Sequence, residues 1–153
     1  MGLTKSCLLF CLEEGRYALD LTAVERIVRA VEVTLVPNAP DFVRGLINVA
    51  GDIVLVIDMR QRLGLPIRDI ELSDRLILTN VAGRLRALLV DGVEGVVELP
   101  TNSVTSVKSA VTDTTPTAAI INGSIVLIQT IEAFVSESPP LQVEDIWRED
   151  AHG

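Results

Sequence analysis

The stretch Val43–Leu65, VRGLINVAGDIVLVIDMRQRLGL, reads as strand, tight turn, buried strand and short capped helix. Gly45-Leu46-Ile47-Asn48-Val49 and Ile53-Val54-Leu55-Val56-Ile57 are two apolar runs suited to strands. Ala50-Gly51-Asp52 joins them, and Gly51 can take the positive φ that a tight hairpin requires. The second run does not alternate between apolar and polar residues, so that strand is expected to be covered on both faces. Asp58 is placed to N-cap a helical turn, with Gln61 three residues on as in a capping box, and Gly64 to stop it. The block is a packing element rather than a chemical centre, which leans toward a binding module over an enzyme.

Composition extends that reading to the whole chain. Its 153 residues suit one domain, or two small barrels sharing a core. Hydrophobic residues make up 48% and aromatics only 3%, so the core is aliphatic and favours strands. The net charge of −8 comes from 21 acids against 13 bases. An acidic chain without a basic stripe is a poor fit for nucleic acid or for an anionic membrane surface. From Glu137 onward there are acids at Glu137, Glu144, Asp145, Glu149 and Asp150 against one base, Arg148, so half of the excess charge sits in the tail. No apolar run approaches the ~20 residues of a spanning helix. Met1–Ser6 is short and polar, without the pattern of a signal peptide, and a cytoplasmic protein is expected.

Turn signals recur between apolar runs. Leu8–Leu12 and Tyr17–Leu21 flank Glu14-Gly15, Leu76–Thr79 and Leu85–Val90 flank Ala82-Gly83, and Ala118–Ile121 and Ile125–Ile128 flank Asn122-Gly123. With the opening block these make four hairpins turning at Gly15, Gly51, Gly83 and Gly123, the spacing of an all-β sandwich or barrel. No exact internal repeat is evident. Val24–Val31 is read as a strand because its β-branched residues disfavour a helix. Pro37–Pro40 is a loop, with a helical turn expected at Asp41–Val43, and Thr130–Val135 is a further short helix. Pro100–Thr117 is a polar connection with a short strand near Val104–Val107, and Pro139-Pro140 ends the domain.

Chemistry has few places to reside. The one histidine, His152, lies in the tail, where no scaffold fixes it for a catalytic triad. No phosphate-binding glycine loop occurs, and no cluster has metal-ligand spacing. Cys7 and Cys11 are read as free thiols acting as small hydrophobes. Asp20, Asp58 and Asp91 each close an apolar strand and are read as turn or cap residues. Arg60, Arg62, Arg68, Arg75, Arg84 and Arg86 are read as a solvated face balanced by nearby acids. No catalytic, cofactor-binding or metal-binding residue is therefore assigned.

The opening block resembles the CheW family of chemotaxis coupling proteins. The family carries RG, Val or Leu, Ile or Thr, Asn, an apolar residue, RG, then a run ending in VxDLR and a short helix closed by LG. Here that reads Arg44-Gly45-Leu46-Ile47-Asn48-Val49-Ala50-Gly51, Val56-Ile57-Asp58-Met59-Arg60 and Leu63-Gly64. Leu8–Leu21 is similar to the family's first hairpin, Val24-Glu25-Arg26-Ile27 to its next strand, Leu88–Val93 to its VVDxV segment and Ile125–Phe134 to its closing strand and helix. All of these in order cover nearly the whole body.

The resemblance implies an all-β fold with minor short helices: two SH3-like five-stranded β-barrel subdomains around a shared aliphatic core. It implies a CheW-like domain over residues 1–138, followed by an acidic tail over 139–153. It implies a non-enzymatic, cofactor-free adaptor. Its partners would be the regulatory domain of a CheA-type histidine kinase and the signalling tip of a methyl-accepting chemoreceptor, with no nucleic acid and no direct membrane insertion. Val24, Arg26, Arg44, Gly45, Asn48, Ala50 and Gly51 would form the protein-binding surface. The chain departs from the pattern at Ala50, where arginine is usual, at Arg26, where better-known members have glutamate, and at Leu55, where proline is frequent. Those departures set a second reading beside the first: an accessory module that binds the kinase without a receptor, or serves a non-flagellar pathway.

Overall fold

A computed structural model describes residues 3–30, 33–81, 83–100, 104–106 and 117–129. Thr130–Val135 and everything after it, including Trp147 and His152, lie outside the described residues. The chain starts with β1 (Thr4–Leu12) and β2 (Gly15–Asp20), turns through a short 3-10 segment, and builds β3 (Val24–Arg29), β4 (Val43–Val49) and β5 (Asp52–Asp58). Helix α1 (Met59–Arg62), β6 (Arg75–Val81) and β7 (Arg84–Val90) follow. The chain then runs through β8 (Gly92–Pro100), β9 (Thr105–Ser106), β10 (Thr117–Ile121) and β11 (Ser124–Gln129).

Two sheets result. The first has the order β8-β1-β2-β11-β10-β9, and the second β3-β6-β7-β5-β4. Each is antiparallel apart from one parallel pair, β2 with β11 and β5 with β7. The four expected hairpins all form. In the second sheet the chain beyond β3 crosses to the far edge, where Thr34 and Leu46 exchange two backbone hydrogen bonds of 2.9 Å. That bridge ties the chain after β3 to the outer strand β4.

Period-two side-chain placement explains why the apolar runs do not alternate with polar residues. Leu8, Phe10, Leu12, Tyr17 and Leu19 of the first sheet meet Ile57, Ile77, Leu88 and Val90 of the second, with Met59 of α1, in one shared core. The residues between them point the other way. Cys7, Leu9 and Ala18 pack with Leu99, Ala119 and Val126 inside the first sheet. Val54, Val56, Leu76, Leu78, Ala87 and Leu89 pack inside the second, with Ile47. The central strands of each sheet are thus buried on both faces, as expected of two small barrels around a common aliphatic core.

Local structure corrects several expectations. The segment expected to be a helical turn at Asp41–Val43 is a turn leading directly into β4, closed by a bond from the Val43 amide to Pro40 O at 2.9 Å. Asp58 does cap α1, accepting from the Arg60 and Gln61 amides, but the reciprocal half of the capping box is pre-empted. The Asp58 amide donates instead to Phe42 O at 2.8 Å. At the other end Leu65 N donates to Arg60 O and Gly64 N to Gln61 O, the pair of bonds that seals a helix C-terminus. In the first hairpin the positive φ falls on Glu13, and Gly15 opens β2, where an added Cβ would lie 2.8 Å from the Tyr17 hydroxyl. Gly83 and Gly123 do sit in turns at positive φ.

The β4–β5 turn is tighter than glycine alone implies. Ala50 has φ 50 and Gly51 φ 93, the two positive values of a type I′ hairpin. Asn48 Oδ1 accepts from the Gly51 amide at 2.8 Å. An alanine held left-handed is strained, so Ala50→Gly should stabilise the protein by roughly 0.5–1.5 kcal/mol. Thermal unfolding should rise by a few degrees, about 2–4 °C per kcal/mol at this size. An unchanged or lower midpoint would contradict the turn geometry.

Candidate functional site

The residues implied as protein-binding fall on the second sheet. Arg44, Gly45 and Asn48 lie along β4, and Ala50 and Gly51 form the exposed tip beyond it. Val24 and Arg26 lie on β3, which the sheet order separates from β4 by β6, β7 and β5. The Thr34–Leu46 bridge brings the chain after β3 back onto β4. Arg26 is exposed, while Val24 is half-buried against the shared core. Beside them Ile27 of the outer strand β3 (37% exposed) and Ile53 at the start of β5 (49%) present apolar side chains. Those two isoleucines are binding candidates that residue spacing alone did not single out.

Three members of the set also have firm structural duties. Arg44 Nη1 reaches the buried Asp58 carboxylate at 3.3 Å, tying β4 to the cap of α1. Asn48 holds the turn. Gly45 leaves room for the Thr34 carbonyl, as a Cβ there would stand 2.3 Å from that oxygen. What remains free for a partner is the exposed tip, Ala50-Gly51, with Arg26 and the exposed isoleucines.

A second cluster lies at one end of the shared core, and two of the arginines expected on a solvated face, Arg60 and Arg68, build it. Arg60 and Arg86 are buried instead. Arg60 Nε and Nη2 fork onto Asp91 at 3.0 and 2.6 Å, and its Nη1 bonds Glu13 and Pro66 O. Arg68 forks onto the buried Asp74 at 2.7 and 2.9 Å and reaches Asp91 at 3.1 Å. Asp91 also accepts from the Glu13 amide at 2.7 Å. Its role is therefore that of a hub rather than of a turn residue. Burial alone would push the Asp91 carboxyl up, but the hydrogen bonds from Arg60 and the Glu13 amide, with both guanidinium charges, together hold it below its ordinary value. Asp20 keeps the cap role, accepting from Thr22 and pairing with Lys5 at 3.0 Å.

This chemistry suits binding better than turnover. Burial pushes the thiols of Cys7 and Cys11 up, which suppresses the thiolate a nucleophile needs. Both are free, Cys7 buried and Cys11 half-buried beside Gly92. The main carboxylates are saturated by arginines and amides. Among the described residues no group of three or more His, Cys, Asp and Glu could hold a metal ion. Among the same residues no helix is long and apolar enough to cross a membrane.

Comparison with known proteins agrees in both sequence and shape. The family model of the CheW-like domain matches residues 6–138. The chain is 31% identical over 97 residues to a chemotaxis protein CheW of Klebsiella aerogenes, covering 63% of this chain and 58% of that one. It is 26% identical over 107 residues to the chemotaxis protein CheW of Treponema pallidum, covering 67% of this chain and 63% of that one. The matched stretch thus spans about three fifths of each relative's length. In three dimensions the chain is similar to the scaffolding protein TtCheW of Thermoanaerobacter tengcongensis, with a TM-score of 0.73 and 29% identity over 82% of this chain and 88% of that one.

Proposed function

This chain belongs to the CheW-like domain family, and from that premise we propose that it is a non-enzymatic adaptor coupling methyl-accepting chemoreceptors to a CheA-type histidine kinase. The observation that carries the proposal is the two-sheet body itself, similar over most of its length to a solved scaffolding protein. Its buried polar groups are engaged in holding the fold, and on the candidate docking side it exposes a turn tip, Arg26 and the apolar side chains of Ile27 and Ile53. Such a surface recognises protein by shape and apolar contact and needs no cofactor. Residues 1–138 form the adaptor domain and 139–153 an acidic tail, in the cytoplasm. The partners are the kinase's regulatory domain and the receptor's signalling tip. Val24, Arg26, Arg44, Gly45, Asn48, Ala50 and Gly51 mark the docking side.

One observation favours the accessory reading, in which the kinase is bound and a receptor is not. Ala50 stands at the exposed tip where the family usually has arginine, so the donor fork and long stem of that residue are missing. Titration of receptor signalling-tip fragments against wild type, Ala50→Arg and the Arg26→Glu/Ala50→Arg double variant separates the two readings. On the coupling reading a variant gains about 1.4 kcal/mol, tenfold in affinity. If neither variant binds better than wild type, Ala50 does not limit receptor engagement and the kinase-only reading gains ground.

A further inference from the structure

We infer that Asp91 is a junction that couples two surface segments belonging to different sheets, the β1–β2 turn and the connection from α1 to β6. The two segments are distant in sequence, and their side chains converge on one carboxylate. Asp91 Oδ2 accepts from the Glu13 amide and from Arg60 Nη2, and Oδ1 accepts from Arg60 Nε and Arg68 Nη2. The Glu13 carboxylate closes the loop by bonding Arg60 Nη1.

On the far side, Arg68 organises the α1–β6 connection. It donates to Asp69 O at 2.8 Å and forks onto Asp74, while Asp74 Oδ2 accepts from the Glu71 amide at 2.8 Å. Pro66 O is held by Arg60 at 2.9 Å. The side-chain bonds of Glu13 run to Arg60, and those of Arg68 run to Asp69, Glu71, Asp74 and Asp91. The two residues therefore communicate through Asp91 and Arg60. Asp91 is also where the chain passes from β7 of the second sheet to β8 of the first, and its own amide donates to Cys11 O at 3.1 Å. Displacing the carboxylate to suit one segment misplaces it for the other. That is the physical basis for coupling through a shared, half-buried charge network.

A double-mutant cycle with amide exchange tests the inference. The variants are Glu13→Gln, Arg68→Gln and their combination, each also made with Asp91→Asn. Arg68→Gln should speed exchange of the remote Glu13 amide about five-fold, and the pair should depart from additivity by a similar factor. The coupling should vanish in the Asp91→Asn background. Amides of β5 and β11 serve as controls and should change less than two-fold. If Arg68→Gln fails to fold, Arg68→Lys keeps the charge without the fork and should give the same effect at Glu13. Exchange that changes only within the α1–β6 connection, or strict additivity, overturns the inference. So does coupling that persists without the Asp91 charge.

Discussion

Gly45→Ala should lower stability by about 3 kcal/mol, although it adds one methyl group. Overpacking a closed contact costs roughly 1–3 kcal/mol, and a strained backbone conformation adds a similar amount. A Cβ at position 45 would stand 2.3 Å from Thr34 O and 2.7 Å from a Val33 methyl, and φ there is +155. The contact cannot relax cheaply, because Thr34 makes the bridge that ties β4 to the chain beyond β3. Gly51→Ala is the control: φ is +93, but an added Cβ meets nothing within 4 Å. It should cost only about 1–2 kcal/mol, from the left-handed backbone alone. Chemical denaturation of both variants gives the comparison. Equal losses would mean that close approach at Gly45 does not close the second sheet.

Phe10→Ala should be still more damaging, at about 3–5 kcal/mol. Phe10 is fully buried, and its ring stacks on Tyr17 with centroids 5.5 Å apart. It lies in the cluster that joins Leu8, Leu12 and Leu19 of the first sheet to Ile57, Ile77 and Leu88 of the second. The loss should therefore weaken both sheets together. Unfolding should remain one transition, with exchange protection falling in β6 and β7 as much as in β1 and β2. Protection lost in the first sheet alone would contradict a shared core.

Much of this architecture is legible in the sequence because two local rules govern it. Hairpin turns need residues tolerant of positive φ, and Gly51, Gly83 and Gly123 mark three of the four hairpins in this way, while in the first the positive φ falls on Glu13. Strands buried on both faces need continuous aliphatic runs, and Val54–Ile57 and Ala87–Val90 are such runs. Strand β8 is the element least visible. Gly92 and Gly95 interrupt it, its pairing with β1 is irregular at Leu9/Phe10, and its burial alternates weakly. Asn-Val-Ala-Gly occurs at 48–51 and again at 80–83, and this short repeat passes unnoticed against the longer apolar pattern. Its meaning is geometric: Asn48 and Asn80 each accept from the glycine amide three residues on, at 2.8 and 3.1 Å.

The charge network was the part least accessible to sequence reasoning. Arg60, Arg68, Asp74 and Asp91 are ordinary surface residue types, and only tertiary folding brings them together around Asp91. An aspartate at the end of an apolar strand fits a turn equally well, so spacing could not separate the two roles. The candidate docking side shows the opposite limit. The RG and NVAG stretches stood out by resemblance, yet Arg44, Gly45 and Asn48 carry structural duties as well. What a partner would touch is the smaller exposed remainder, the Ala50-Gly51 tip with Arg26, Ile27 and Ile53.

Both readings of function require one contact, with the regulatory domain of a CheA-type histidine kinase. Isothermal titration of that domain, from the same cell, with the purified chain tests it most directly. The account predicts saturable one-to-one binding in the micromolar range or tighter, about −8 kcal/mol or better, without metal or cofactor. An absence of binding at concentrations up to about 100 μM would contradict it.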